Sequence, residues 1–562
     1  MKINFLISCC LIVTIFANAQ VTTIHHPEII ALTLEKISPP LKSIPDRPAP
    51  EGGIRTEHDN FSLEHPIPIT KSNPLPHGAD PAIQKSYGQR TPSVNKMDTA
   101  GSALTILQSL EGLSENVDPS DNTIAVGIDH VVQLVNTNGN STAMRVWDKS
   151  GAVLASSIAL EDLTGLKDYG DPSIIYDEQA DRYALLVLAF SGSKLIVAVS
   201  QTGDAMGSYY SYSFSTAGGY PDYPKLAAWG NSYFITTNSN SPSIFALNRD
   251  SLIAGAPFSF VQKFSLSSFQ ALGFQTASPV HFTGSIAPAN GSPELIMRIA
   301  DDAWGGNVDS DHLEIFKTKI NWVDTSLSEI SGPYNLKTAD YNSDLCGFNS
   351  FSCIPQKGNN SKLDPLSNIL MDKTKYRAFI DHESIVGTHV VNTGDGKAGI
   401  RWYELRSQTN GDWYIYQQGT FAPPDTNNRW ISSISINDDG AIALCYNISS
   451  KETYTGMRIT GRLECDSLGL MTIGEIVAQE GSAANGSTRY GDYNGLVTDP
   501  VDGSFWLTGQ YNPSSAWSTN VTHFTLETCT ATITPPVNIS NEEFKVTPNP
   551  ATDNIVVSVF ST

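Results

Sequence analysis

The stretch "DPSIIYDEQADRYALLVLAF", residues 171–190, reads as two apolar strands joined by a short acidic turn. The same texture returns six more times. It appears in "NTIAVGIDHVVQLVN" from Asn122, "YPKLAAWGNSYFITTN" from Tyr223 and "SPVHFTGSIAPANGSPELIMRIA" from Ser278. It continues in "SNILMDKTKYRAFIDH" from Ser367, "SSISINDDGAIALCYN" from Ser432 and "NGLVTDPVDGSFWLTGQY" from Asn494. A third, outward strand follows most of them, as in "AMRVWDKSGAVLA" and "AGIRWYELRS". Units of roughly 50 to 60 residues with three or four strands mark a β-propeller, in which each blade covers its neighbour and closure limits exposed edges. The expectation is an all-β chain with a propeller of seven blades over residues 101–527. Two stacked β-sandwiches are the alternative, since they need no repeat of this period.

Composition agrees with many short strands. Of 562 residues 16% are charged and 9% aromatic, with 43 Gly and 32 Pro. The net charge of -22, with 35 Lys and Arg in no runs, excludes nucleic acid as a partner and fits a solvated extracellular surface. "MKINFLISCCLIVTIFANAQ" has one Lys, an apolar stretch and Ala17-Asn18-Ala19, so residues 1–19 read as a secretory signal peptide. A lipoprotein signal ending at Cys9 would leave too few residues before the cysteine. No other run is long enough for a membrane span. Residues 20–100 are rich in proline ("ISPPLKSIPDRPAPEGG") and read as an extended leader or linker.

Five cysteines remain after the signal, and an exported chain permits disulfides. Cys346 and Cys353 would close a small loop. Cys445 and Cys465 lie on what look like neighbouring arms of a hairpin, leaving Cys529 over. None of the spacings matches a zinc site.

The acidic turns "YDEQADRY", "NDDGAI" and "DPVDGSFW" supply what hairpin turns require, and the repeated S-x-D-x-G-x-T-W boxes of sialidases are absent. In a propeller the loops leading into the innermost strands gather at one mouth of the central channel. That would bring together Asp171, Asp222, Lys225, Arg429, Trp430, Arg489, Asp492 and Tyr493, either as a ligand site or as braces between blades. "IADDAWGGNVDSDHLEIF" offers Asp301, Asp302, Asp309 and Asp311 as a candidate calcium loop, without the residue order of an EF-hand. His382, between Asp381 and Glu383, has no partner placed by sequence and reads as a packed residue. No catalytic residue can be assigned.

Two resemblances rest on longer strings. "CIPQ", "LDPLSNILM", "YRAFIDHESIVGTHVVN", "GIRWYELR", "YQQGTFAP", "RWISSISI", "TGRLECD" and "RYGDYNGLVTDPVDGSFW" resemble a family of uncharacterised secreted bacterial propeller-like proteins, over about residues 118–526. The resemblance implies an extracellular propeller without an assigned activity, and it favours the Cys346–Cys353 pair as a disulfide. "FKVTPNPATDNIVVSVF", residues 544–560, resembles the beginning of the type A C-terminal sorting domain of the type IX secretion system of Bacteroidota. Pro548, Asn549, Pro550 and Ala551 match its turn, and Ile555, Val557 and Val559 alternate as a one-sided strand should. The full sorting domain is several times longer, so residues 542–562, after a linker at 528–541, are expected to be a truncated signal. Together these readings imply a secreted or cell-surface protein, exported by the type IX machinery, that binds an extracellular glycan, protein or surface. The alternative is a glycan-acting hydrolase or lyase with its site at the channel mouth.

Overall fold

Why the strands of residues 171–190 and their counterparts are apolar on both faces becomes clear from what covers them. In the computed structural model Ile174, Leu185, Val187 and Ile196 pack with Val132, Leu134 and Met144 of the preceding unit. The alternate residues Ile175, Leu186, Leu188 and Val197 pack with Leu226, Ile235 and Phe245 of the following one. Successive side chains of a strand point to opposite faces, so each sheet is sandwiched between two neighbours and keeps no polar face.

The structure describes residues 23–47 and, with short interruptions, 103–529, together with 55–56, 80–85, 87, 543–547 and 556–560. Strands dominate, and the α-helices among the described residues are two five-residue turns, Leu160–Thr164 and Arg249–Ile253. Seven four-stranded antiparallel units follow one another. Their innermost strands are Thr123–Val126 (unit 1), Asp168–Asp177 (unit 2), Asp222–Trp229 (unit 3), Ser278–Thr283 (unit 4), Thr374–Ala378 (unit 5), Asn428–Ile436 (unit 6) and Gly495–Thr498 (unit 7). Each touches the next, and that of unit 7 touches that of unit 1, so the units form a closed ring. Leu104–Glu111, which precedes unit 1 in sequence, is the outer strand of unit 7, with Val521 opposite Leu110 and Leu526 opposite Leu104. The first strand of the ring thus locks its last sheet.

The proline-rich leader differs from expectation, because part of it is folded onto the ring. Glu28–Ile37 inserts between the outer strands Tyr209–Ser215 of unit 2 and Phe258–Ser265 of unit 3, fusing two sheets into one of nine strands. Ile30 and Leu32 are buried and Ile29 is exposed, the alternation of a strand covered on one face. Thr23–His25 pairs with the edge of unit 4, and the Asp80 carboxylate accepts hydrogen bonds from Arg401 and Thr420 of unit 5. The physical reason is edge satisfaction: an outer strand presents unpaired N–H and C=O groups that an extended segment can pair.

Two further corrections concern the cysteines and the tail. Cys346 and Cys353 are bonded, but Cys465 bonds to Cys529 and not to Cys445. Cys445 sits mid-strand opposite Ile459, buried and free, whereas Cys465 lies beyond the end of Gly456–Arg462, beside the segment leaving unit 7. At the tail, where the sequence reads as one strand after the turn, Glu543–Thr547 and Val556–Phe560 pair as an antiparallel hairpin. The signal peptide and Pro548, Asn549, Pro550 and Ala551 lie outside the described residues. Among the described residues no helix is long and apolar enough to cross a membrane.

Candidate functional site

Eight described non-glycine residues have left-handed backbone, and six of them stand where an innermost strand begins. They are Asp121 (φ 44°), Asp171 (50°), Tyr223 (49°), Asp372 (48°), Ile431 (45°) and Asp492 (58°), one in each of units 1, 2, 3, 5, 6 and 7. Asp tolerates this conformation through its short polar side chain, but Tyr and β-branched Ile adopt it against steric resistance. In units 2, 3 and 6 the same place carries a break in strand register, between Gly170 and Ser173, Asp222 and Lys225, and Trp430 and Ser433. Such bulges re-aim side chains at the end of a sheet.

These turns bind the units to one another across the axis. The Asp171 carboxylate accepts from the Tyr223 N–H at 3.1 Å, and the Asp171 N–H donates to Asn136 Oδ1 at 3.1 Å. Tyr223 of unit 3 donates its hydroxyl to the Asp492 carbonyl ahead of unit 7 at 2.8 Å, and its ring stacks on Tyr493 with centroids 4.3 Å apart. Units 3 and 7 are not neighbours in the ring, so the stack closes this end of the channel. Arg489 pairs with Asp492, and Asn238 donates to Asp222 at 3.0 Å. The chain leading into unit 5 covers the same end at Asp364 and Leu370: the Asp364 N–H donates to the Thr488 carbonyl, and Lys225 Nζ donates to the Leu370 carbonyl at 2.5 Å.

The electrostatics follow from burial. Asp171 is raised by desolvation, countered in part by a hydrogen bond shared with the Asp121 carboxyl. Asp222 is pushed up to about 7 by burial and then by the charge of Asp171, and burial takes Asp364 to about 7 as well. Lys225 is lowered to about 7 by burial, against the pull of Asp372. The cluster is therefore a set of crowded, buried carboxyls, with Asp171, Asp222 and Asp364 raised above the usual carboxylate range beside the ion pair of Arg489 and Asp492.

Of the eight residues proposed from sequence, Asp171, Asp222, Arg489, Asp492 and Tyr493 converge here, and Lys225 stands beside them. Trp430 packs beneath, against Tyr490. Arg429 is a correction: it turns outward to Asp425 and Glu475, with its guanidinium over Phe421. The acidic loop of unit 4 brings Asp301, Asp302 and Asp311 within reach of one another and leaves Asp309 out. Asp301 accepts from Ala303 and Ser343, and Asp311 from Asp302 and Tyr341, so these carboxylates already brace the loop. His382 stacks on Phe379 and contacts Asp381.

The cavity along the axis is lined by none of those eight residues. It measures about 390 Å³ with its open mouth, and its walls include Glu178, His281, Lys373 and Lys375. Val126, Thr283 and Thr498 in its lining are the last residues of their strands, so it opens at the end opposite the tyrosine stack. The signal that could have found it is "MDKTKY" (Met371–Tyr376): two lysines two apart put both on one face of an innermost strand.

No family model matches the chain, and no curated protein matches it. Among solved structures it is similar to a lectin from Burkholderia pseudomallei (10% identity, 71% of this chain and 98% of that chain, TM-score 0.37). It is also similar to a protein of unknown function from Dyadobacter fermentans (8% identity, 76% of this chain and 100% of that chain, TM-score 0.36). A third is the WD40 domain of SCAP from fission yeast (8% identity, 74% of this chain and 98% of that chain, TM-score 0.33). At these values the likeness is one of general architecture and says nothing about a ligand.

Proposed function

We propose that the chain is a secreted or cell-surface seven-bladed β-propeller, spanning residues 101–527, that binds an extracellular glycan, protein or surface. A signal peptide and the type IX route deliver it, with residues 542–562 as the start of the sorting domain. The binding end is the one where the innermost strands begin, with Asp171, Asp222, Arg489, Asp492, Tyr223 and Tyr493 as its groups. The observation that carries this reading is the repeated left-handed backbone at that end. Strain of this kind is held in place by surrounding structure and gathers at functional sites. A glycan and surface-binding screen of residues 20–562, with and without chelator, tests it. Retention by a glycan or surface, lost in Arg489→Met, is the expected outcome. Absence of any retention, together with turnover of a glycan, overturns it.

One observation favours the second reading, a glycan-acting hydrolase or lyase. Asp121 and Asp171 share a hydrogen bond while Asp222 beside them is raised to about 7, an arrangement of neighbouring carboxyls in unlike environments of the kind acid–base work on a glycosidic bond uses. Release of reducing ends by the wild-type chain, abolished in Asp171→Asn and Asp222→Asn, would establish it.

A further inference from the structure

The axial cavity carries a charge opposite to that of the rest of the molecule. It is walled by five of the seven innermost strands, those of units 1, 2, 4, 5 and 7. Lys375 stands in register with His281 on the parallel neighbouring strand, and Lys373 lies two residues before it on the same face. Lys373 Nζ donates to Asp372 Oδ1 at 3.0 Å and keeps two further protons, whereas Lys375 Nζ spends all three of its protons on Asp372 Oδ2 at 3.0 Å, Ser433 Oγ at 3.2 Å and the Ile434 carbonyl at 2.8 Å. Lys225, one unit further round, also lies in the field of Asp372.

Two ammonium groups, those of Lys373 and Lys375, thus share one carboxylate. The other acid of the cavity wall, Glu178, sits at the level of Gly284, whose N–H donates to it, and faces Arg377. That is beyond the lysines toward the strand ends. A buried surplus of like charge is expensive unless a counter-ion joins it. His281 completes the set. Its Nδ1 accepts from the Ala228 N–H at 3.2 Å, which leaves the ring proton on Nε2 as a donor. Burial and the two lysines hold its pKa down at about 3, so the ring is neutral and contributes a hydrogen bond without adding charge.

We propose that the channel holds a small oxyanion group between Lys373 Nζ and His281 Nε2–H, with the Lys375 ammonium beside it as a charge only, entering through the mouth opposite the tyrosine stack. The group is a sulfate or carboxylate, free or carried as the acidic substituent of a sugar. This site is separate from the one proposed at the tyrosine end and does not depend on it. Asp372 is its internal competitor: the carboxylate occupies donors that an incoming anion would otherwise receive.

Titration calorimetry on the mature chain, residues 20–562, at constant ionic strength tests the proposal with inorganic sulfate in one arm and glucuronic acid in the other. Saturable binding at one site per chain is expected. Lys373→Met should weaken it at least tenfold, and Asp372→Asn should tighten it, the two variants moving in opposite directions. Tighter binding of glucuronic acid than of sulfate assigns the sugar-borne group, and the reverse assigns the free anion. Absence of saturable heat from the wild-type chain in both arms overturns the proposal, whatever the variants do. Equal affinity in wild type and in Lys373→Met, with circular dichroism showing both folded, also overturns it.

Discussion

Asp171 and Asp372 occupy the same place in their units, with the same left-handed backbone, yet their carboxyls are shifted in opposite directions. Asp171 stands among other carboxyls and is raised, whereas Asp372 is held far below the usual range by Lys373 and Lys375 in spite of its burial. Repetition of a backbone feature therefore does not repeat its chemistry. The neighbours on the next innermost strand decide whether a buried acid keeps its proton. One end of the axis is acidic and closed by aromatic rings, and the interior beyond it is cationic and open to the far mouth.

Three experiments bear on that contrast. Tyr223→Ala removes the ring that bridges units 3 and 7, and a loss of about 4 kcal/mol is expected for a fully packed aromatic side chain. Urea denaturation measures it, and a loss near zero would mean that the stack does not hold the acidic end together. Asp372→Asn keeps a residue that accepts left-handed backbone but removes the carboxylate that Lys373 and Lys375 share. About 3 kcal/mol is expected from breaking a buried pair, and added sulfate should restore part of the midpoint. The smallest effect concerns protonation. The folded pKa of Asp222, about 7, is above its unfolded value, so its contribution to stability is complete below about pH 4 and is lost as pH rises through 7. Asp222→Asn should remove that loss. The stability difference between pH 5 and pH 8 should narrow by on the order of 1 kcal/mol in thermal scans at the two pH values. An unchanged difference would show that Asp222 is not the proton-holding member of the cluster.

Much of the ring was legible because a strand sandwiched between neighbours is apolar throughout, and "RYALLVLA" or "IALCYNIS" announces itself against acidic turns. The leader strand Glu28–Ile37 was not, because the prolines around "EIIALTLEKI" mask a run whose partners lie 173 to 235 residues away. The Cys465–Cys529 bond was missed because its halves, 64 residues apart, follow strands of adjacent units, a proximity that the packing of one sheet on the next creates. At the candidate site, Asp171, Asp222, Arg489, Asp492 and Tyr493 could be gathered from their place before each strand. The outward turn of Arg429 could not, since it depends on Asp425 in the loop before its own strand together with Glu475 in the outer strand Ile473–Gln479.

By itself the sequence determined an acidic, strand-rich chain with a recurring unit, because strand period, turn chemistry and charge are local properties. Only the tertiary structure decided which carboxyls crowd together, that two tyrosines close one end of the axis, and that Lys373 and Lys375 face a cavity instead of solvent. Those outcomes depend on distances between units far apart in the chain, and desolvation acts only once the ring has closed around them.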